Sequence, residues 1–434
     1  MKSKTIYWMS RAIRVEENPA LQLAVSLANK YEQELEVHFV IQPDYPYANR
    51  RNMHFLLSGV AEVAQKLAVW NIPVIVKTAD PLSYFTNILE YQSIDHLVTE
   101  HHVLRYFDQL HKQISKRCKE HQALFYRINT ACVVDVWQAS DKLEFAARTF
   151  RPKIMAQYKK YLPNSDQKIK ALQQKVNYVF SMKDVDEIIQ NHPFKDIPIS
   201  LMPSGEDAAN EQLDWFIEHG LNVYHLRNEY FSIGQSQLSA YLHFGMISIR
   251  KVIRKVEETR HFNAAQFVEE AMVRRELAEN YCYYQPEYDS LAGAWPWAQE
   301  TLKRALDDER EYIYSKEEFE LAQTHDDLWN FCQRQVVNLG YLHSYLRMYW
   351  AKMVLYWTKS PQEAIDILIY LNDTYFLDGR DPNGYTGIMW SVAGVHDRPW
   401  FTKPVTGLVR SMSKSGTMKK TRLSSMDLLG DLHK

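Results

Sequence analysis

The sequence predicts a two-part chain: a Rossmann-like α/β region with a parallel sheet over residues 1–135, then a large all-helical region over 211–434. Three observations support this. Short apolar runs alternate with amphipathic segments through the first 135 residues, Pro152, Pro163, Pro193, Pro198 and Pro203 punctuate a connection over 136–210, and beyond 211 apolar residues recur at the helical period. With 434 residues the chain is long enough for two or three domains, each with its own core.

In chain order, the β-type runs are TIYWM, LEVHFVI, PVIVK, HLVTE and LFYRI. Helix-like segments lie between them: NPALQLAVSLANKY, 52–70, 82–91 and 104–120. Such strand–helix alternation builds a parallel sheet flanked by helices. Neither GxGxxG nor a Walker A pattern occurs, so no phosphate loop marks a nucleotide site there. The helical region contains DWFIEHGL, ISIRKVIRKVEETR, AAQFVEEAMVRRELAENY, the run from His325 to Trp357, and PQEAIDILIYLND. Within RMYWAKMVLYW, Trp350 and Trp357 are seven positions apart. On an α-helix that spacing places them on one face, roughly 20° apart and about 10 Å along the axis, where they either pack as core or line a track.

Composition is that of a globular protein, with 46% hydrophobic and 24% charged residues. The 11 Trp and 27 Tyr exceed ordinary packing needs and suggest a planar ligand. Cys118, Cys132, Cys282 and Cys332 are far apart with no CxxC, which supports neither a zinc site nor a disulfide framework and fits a reducing cytosolic or nuclear setting. No signal-peptide run or membrane-spanning stretch is present, so a soluble protein is expected. Net charge is −2, but from Arg398 to Ser425 the cations Arg398, Lys403, Arg410, Lys414, Lys419, Lys420 and Arg422 meet no acid. That run reads as a solvated basic tail or as a phosphate-contacting surface, with the end from Ser415 polar and disordered.

Three stretches concentrate candidate chemistry. NDTYFLDGRDPNGYTGIMW, residues 372–390, is dense in turn formers and is expected to be an inward-folded loop. In GQSQLSAYLHFGMIS, Ser236 and Ser239 open an apolar helical run and serve either as a helix cap or as an anion cradle. In EEAMVRRELAEN, Glu270 and Arg274 are four apart, the spacing of an ion pair on one helical face.

Taken in order and spacing, SRAIRVEENPAL, SQLSAYLHFG, VRRELAENYCYYQP, HDDLWN, RMYWAK, YLND and LDGRDPNGYTGIMWSVAGVHDRPW closely resemble the class II cyclobutane pyrimidine dimer photolyases, from residue 5 to about 410. The resemblance implies an antenna-type α/β domain and an FAD-binding helical domain. In that family light-excited, fully reduced FAD, in its anionic form, donates an electron that splits the dimer. Carried onto this chain, Ser236, Gln237, Leu238 and Ser239 hold the flavin pyrophosphate, with Tyr224, Arg274 and Asp381 among the cofactor contacts. Arg347 and Asp378 form a charged pair against the isoalloxazine ring, and Asn372 faces its N5 atom. Trp350, Trp329 and Trp357 are the proximal, middle and distal members of the photoreduction chain. The route used by class I enzymes needs a tryptophan two residues before Trp390, where this chain has Ile388.

For the substrate, the resemblance implies that Met348 and Trp390 pack on the dimer. Glu270, kept neutral by burial, hydrogen-bonds its carbonyls, and Lys403, Arg410 and Lys414 meet the flanking phosphates. A deazaflavin or folate antenna pigment is a further expectation. So are damaged DNA as partner, no metal, a monomeric state, and a cytoplasmic location with nucleoid or nuclear access. The alternatives are a cryptochrome-like flavin photoreceptor without repair activity and a non-catalytic DNA-binding protein. The latter leaves the tryptophans and the 372–390 motif unexplained.

Overall fold

The computed structural model describes residues 3–42, 44–163 and 168–429. Two compact units emerge, and the chain passes between them more than once. One gathers Met1–Asp135, Gln157–Trp215 and Gln237–Arg260, the other Val136–Ala156, Phe216–Ser236 and His261–Lys434. This division differs from the expected boundaries. The 136–210 connection is split between the units and carries helices Val136–Ala139, Ala147–Met155, Met182–Asn191 and Glu206–Trp215.

In the first unit the five apolar runs form strands β1 (Lys4–Trp8), β2 (Glu34–Ile41), β3 (Val74–Thr78), β4 (Ile94–Glu100) and β5 (Leu124–Ile128), all parallel in the order β3-β2-β1-β4-β5. The connections are α1 (Pro19–Lys30), α2 (Arg50–Ala68), α3 (Pro81–Tyr91) and α4 (Arg105–Glu120). Asn18 caps α1 and Asp80 caps α3, each followed by proline at the first helical position, and Asn49 caps α2. These residue types accept from the free N–H groups of a first turn. One face of the sheet is sealed by Ile6, Trp8, Phe85, Ile88, Leu97, Leu110 and Ile114.

The second unit is helical. Its central helices are α5 (Arg275–Tyr284), α6 (Asp327–Leu339), α7 (Ser344–Tyr356), α8 (Pro361–Tyr375), α9 (Pro382–Ala393) and α10 (Lys414–Thr421). The long run from His325 to Trp357 breaks into α6 and α7 because Gly340 takes the left-handed conformation, φ 71°, at the end of α6. Two expectations are corrected here. Most of the 372–390 loop is helix: Asp381 caps α9 with Pro382 at its first position, so the Asp-Pro pair starts a helix and the turn shrinks to 376–381. The tail expected to be disordered from Ser415 lies in α10 as far as Thr421; residues 430–434 of that stretch lie outside the described residues. Among the described residues no helix is long and apolar enough to cross a membrane, and the four cysteines are buried and form no disulfide.

In the first unit Glu206, 2% exposed, accepts from the backbone N–H of Glu16 at 2.7 Å and of Val15 at 3.2 Å, and pairs with Lys66 at 3.0 Å. Removing the carboxylate strands two backbone donors in the interior. Glu206→Ala is expected to lower unfolding free energy by about 3 kcal/mol and Glu206→Gln, which keeps an acceptor, by about 1 kcal/mol. Urea titration of the two variants measures the difference; equal losses would contradict this role.

Candidate functional site

The site is built where α7, α8 and the 376–381 turn of the second unit meet. Arg347, in the first turn of α7, donates through Nη1 to both carboxylate oxygens of Asp378 at 3.0 Å and through Nη2 to Asn372 Oδ1 at 2.6 Å. Its guanidinium also lies 3.9 Å from the centre of the Phe376 ring. The two charged side chains keep 27% and 19% of their surface exposed, so this is a shielded pair with an open side. Asn372 is 1% exposed, and Nδ2 gives one of its two hydrogens to Asp373 Oδ1 at 2.7 Å. Burial pushes the Asp373 carboxyl up, opposed by the Arg380 charge and backbone N–H, by Asn372 and by the Tyr385 hydroxyl. The first turn of α9 presses on this amide: a Cβ at Gly384 would stand 2.9 Å from Asn372 Nδ2, so only glycine allows the approach.

From this centre a row of buried rings leads away. Phe376 meets Trp350 at 5.7 Å, and Trp350 lies 6.4 Å from Trp329 with planes 9° apart. Trp329 in turn lies 6.2 Å from Trp357. The expected single-helix track is therefore bridged: Trp350 and Trp357 come from α7 and the residue just after it, and Trp329 from α6 sits between them. Trp329 and Trp350 are at most 1% exposed, and beyond Trp357 lie His325 at 4.9 Å and Tyr314 at 6.0 Å. Trp350 Nε1 donates to Gln333 Oε1 at 2.9 Å, and Trp329 Nε1 to the Trp350 carbonyl at 2.8 Å.

The Glu270 region differs from the expected pairing. Residues Glu269–Arg274 form a π-helical turn, which carries the registry from four residues to five. Arg274 therefore pairs with Glu269 at 3.0 Å, a carboxylate that also takes Arg151 at 2.7 Å. Glu270, half-exposed, pairs with Arg227 at 3.3 Å, in place of the apolar walls that a neutral acid needs. Arg227 also lies over the Tyr224 ring at 4.7 Å, and burial pushes the Tyr224 hydroxyl up, with the Glu270 charge adding to it.

The Ser236–Ser239 stretch straddles the division between the units: Ser236 ends a segment of the second, while Gln237, Leu238 and Ser239 open one of the first. Neither serine caps the short helix Ser239–His243. Gln237 turns through φ 55°, and the buried Leu238 occupies the cap position without a side-chain bond.

Trp390 lies near the end of α9. The Lys352 ammonium is 5.7 Å from its ring and also donates to the Ser391 carbonyl. Arg410 lies 6.0 Å from Trp390 and 4.3 Å over Trp400, which Arg398 approaches at 5.0 Å. Phe401 is 89% exposed, and Lys403 is exposed beside it. Lys414 is already paired with Asp327, and Arg422 with Glu229 at 3.0 Å, so the basic stretch spends part of its charge internally. Asp381, the α9 cap, accepts from Asn383 N at 2.9 Å, and Met348 is half-buried next to Arg347 on α7.

Comparison with known proteins follows the same lines. Residues 5–173 match the profile described as DNA photolyase. A deoxyribodipyrimidine photo-lyase of Arabidopsis thaliana is 38% identical over 97% of this chain and 87% of its own length, and one of Potorous tridactylus 36% over 96% and 79%. The chain belongs to the DNA photolyase family. A relative of the same designation from Methanothermobacter thermautotrophicus is 34% identical over 97% of this chain and 93% of its own length. In fold, the chain is similar to an archaeal photolyase from Sulfolobus tokodaii solved with two FAD molecules (TM-score 0.72, 15% identity, 96% of this chain and 87% of the other). It is also similar to a Synechocystis cryptochrome (TM-score 0.75, 13% identity, 98% and 88%). The fold alone therefore does not separate photolyases from cryptochromes.

Four residues around this arrangement were not singled out from the sequence. Phe376 and Gln333 carry no charge or motif signal, and they matter because of which indole or guanidinium they touch. Asp373 was readable as an acid next to Asn372, and Lys352 as a lone cation in an apolar helix. Burial lowers the Lys352 ammonium to about 7, Asp397 opposing and Arg410 adding to the effect. The folded value is below the unfolded one, so between about pH 7 and 10.5 the unfolded chain binds the extra proton and stability rises with pH. Lys352→Met is expected to remove that rise; urea midpoints measured across this range check it, and an unchanged slope would contradict it.

Proposed function

We propose that this chain is a light-driven DNA repair enzyme of the class II photolyase type, splitting cyclobutane pyrimidine dimers with FAD. The observation that carries the reading is the continuous row from the Arg347–Asp378–Asn372 centre through Phe376 and Trp350 to Trp329 and Trp357. Ile388 two residues before Trp390 leaves the other family route without its indole, which favours class II.

The donor set fits a flavin ring. A guanidinium held on the open side of a shielded pair favours a reduced, anionic ring, and an amide that both donates and accepts suits a ring nitrogen of changing protonation. Arg347, Asp378 and Asn372 would hold the ring, and Tyr224, Ser236, Arg274 and Asp381 of the same unit would hold the remainder. When bound, reduced FAD supplies the light-driven electron that opens the dimer and takes it back afterwards. The chain's own residues do the rest. Asp373 fixes the Asn372 amide, burial of the indoles excludes water from the relay, and Trp390 with Met348 offers an apolar wall for a dimer taken out of the stack, as photolyases do. Glu270, half-exposed and paired with Arg227, would reach polar edges of the lesion. Arg398 and Arg410, stacked on Trp400 next to Lys403, present cations and an aromatic face to the DNA backbone, in a monomer whose affinity falls with salt.

In the α/β unit the strand order reverses between β1 and β4, and open α/β sheets take ligands outside the carboxyl ends of the strands at such a point. We assign a deazaflavin or folate antenna pigment to that place, next to Ser10, Glu100 and His102. A cytoplasmic enzyme with access to DNA fits this activity.

Illuminating the FAD-loaded, chemically reduced protein with a dimer-containing oligonucleotide should restore thymine absorbance near 260 nm, roughly the nucleobase maximum. Bound flavin with no restoration would contradict repair and favour a photoreceptor. Separately, Trp350→Phe should lower photoreduction of oxidised flavin by about 100-fold, while dithionite-reduced protein still repairs; equal loss of both activities would remove Trp350 from the relay.

A further inference from the structure

The relay's inner indoles share a property that the family assignment does not explain: both N–H groups end on neutral carbonyl oxygens. Trp350 Nε1 donates to Gln333 Oε1 at 2.9 Å and Trp329 Nε1 to the Trp350 carbonyl at 2.8 Å. Gln333 is fully buried on α6, and its own amide is fixed by a bond from Nε2 to the Glu320 carbonyl at 3.3 Å. The carboxylates of this neighbourhood are diverted to tyrosines. Asp326 takes the Tyr349 hydroxyl at 2.7 Å and the Trp329 backbone N–H at 2.8 Å, while Glu320 takes the hydroxyls of Tyr370 and Tyr375. At the outer end the setting changes: Trp357 faces the exposed His325, whose Nδ1 is 2.8 Å from the Tyr314 hydroxyl.

An amide oxygen aimed at an indole N–H stabilises positive charge on the ring, and in a dry, low-dielectric core that effect is amplified. The same oxygen is far too weak a base to remove the proton. We propose that Gln333 is a positioning residue of the relay, which keeps the Nε1 proton on Trp350 while an electron vacancy passes outward. The inference rests on the flavin-and-relay reading above. With flavin bound and excited, Trp350 would give up one electron, Trp329 would refill Trp350, and Trp357 would refill Trp329. Each step moves one electron, and no N–H bond breaks at Trp350 or Trp329. A base in place of Gln333 would instead accept the proton and leave a neutral radical stranded at Trp350, one that Trp329 refills poorly.

Gln333→Glu and Gln333→Leu test this in the FAD-loaded protein, each with flavin content matched to the unaltered enzyme as evidence of folding. The glutamate variant is examined at about pH 9, at the top of the range that burial gives a glutamic acid. Oxidised enzyme is flashed without an external donor and followed by transient absorption and freeze-quench electron paramagnetic resonance. Expected for Gln333→Glu are a neutral tryptophanyl radical at Trp350 and a flavin-reduction yield lower by roughly ten-fold. Gln333→Leu should lower the yield without a neutral radical, and replacing water with D2O should leave the first two transfers of the unaltered enzyme unchanged. The inference is overturned if Gln333→Glu photoreduces normally, if both variants give the same radical, or if the inner steps of the unaltered enzyme slow in D2O. Trp350→Phe separates the two levels. If it abolishes photoreduction while Gln333→Glu does not impair it, Gln333 is dismissed and the relay stands; if it changes nothing, relay and inference fall together.

Discussion

The second unit depends on one interaction, the Arg347 guanidinium shared by Asp378 and Asn372 over the face of Phe376. It ties the first turn of α7 to the last turn of α8 and to the turn beyond it. A charge set this far into an apolar, helical body needs a partner, and truncating either member of such a pair leaves the other uncompensated. The structure adds a planar amide and a ring to the ion pair, so the guanidinium is fixed in plane as well as neutralised. The arrangement favours an anion on its open side.

In the proposed function the same residues serve both packing and electron movement. Trp329 and Trp350 are among the largest fully buried side chains of the protein, and their rings run nearly parallel. A dense core is rigid, and rigid ring separations of about 6 Å hold a hopping path constant. In that reading core and relay are one structure, and the relay employs Trp329, Trp350 and Trp357 of the 11 tryptophans. Beside Trp390, by contrast, lie the Arg410 guanidinium and the Lys352 amino group, so that ring's surroundings differ from those of Trp329 and Trp350, whose N–H groups end on neutral carbonyls.

Local signals were read well where local physics decides. All five strands were visible as short β-rich runs, and α1 to α4 as the helix-like segments between them. Signals that depend on backbone detail were misread. The DPNG cluster looked like a loop because turn formers and helix starters are the same residues, and only Asp381 accepting from Asn383 N separates the two. The Glu270–Arg274 spacing fitted an α-helix, whereas a π turn redirected both side chains. The passage of the chain between units, with 237–260 returning to the first, leaves no mark in composition. At the site, the charged and indole residues were named from motifs, while Phe376 and Gln333 became visible only through what they touch.

The most direct measurement is a crystal structure of the protein with FAD bound. The account predicts the isoalloxazine ring against Arg347, Asp378 and Asn372, with Trp350 the nearest indole and Trp329 and Trp357 leading outward from it. A flavin ring bound elsewhere in the chain, or bound here with another tryptophan closer than Trp350, would contradict it.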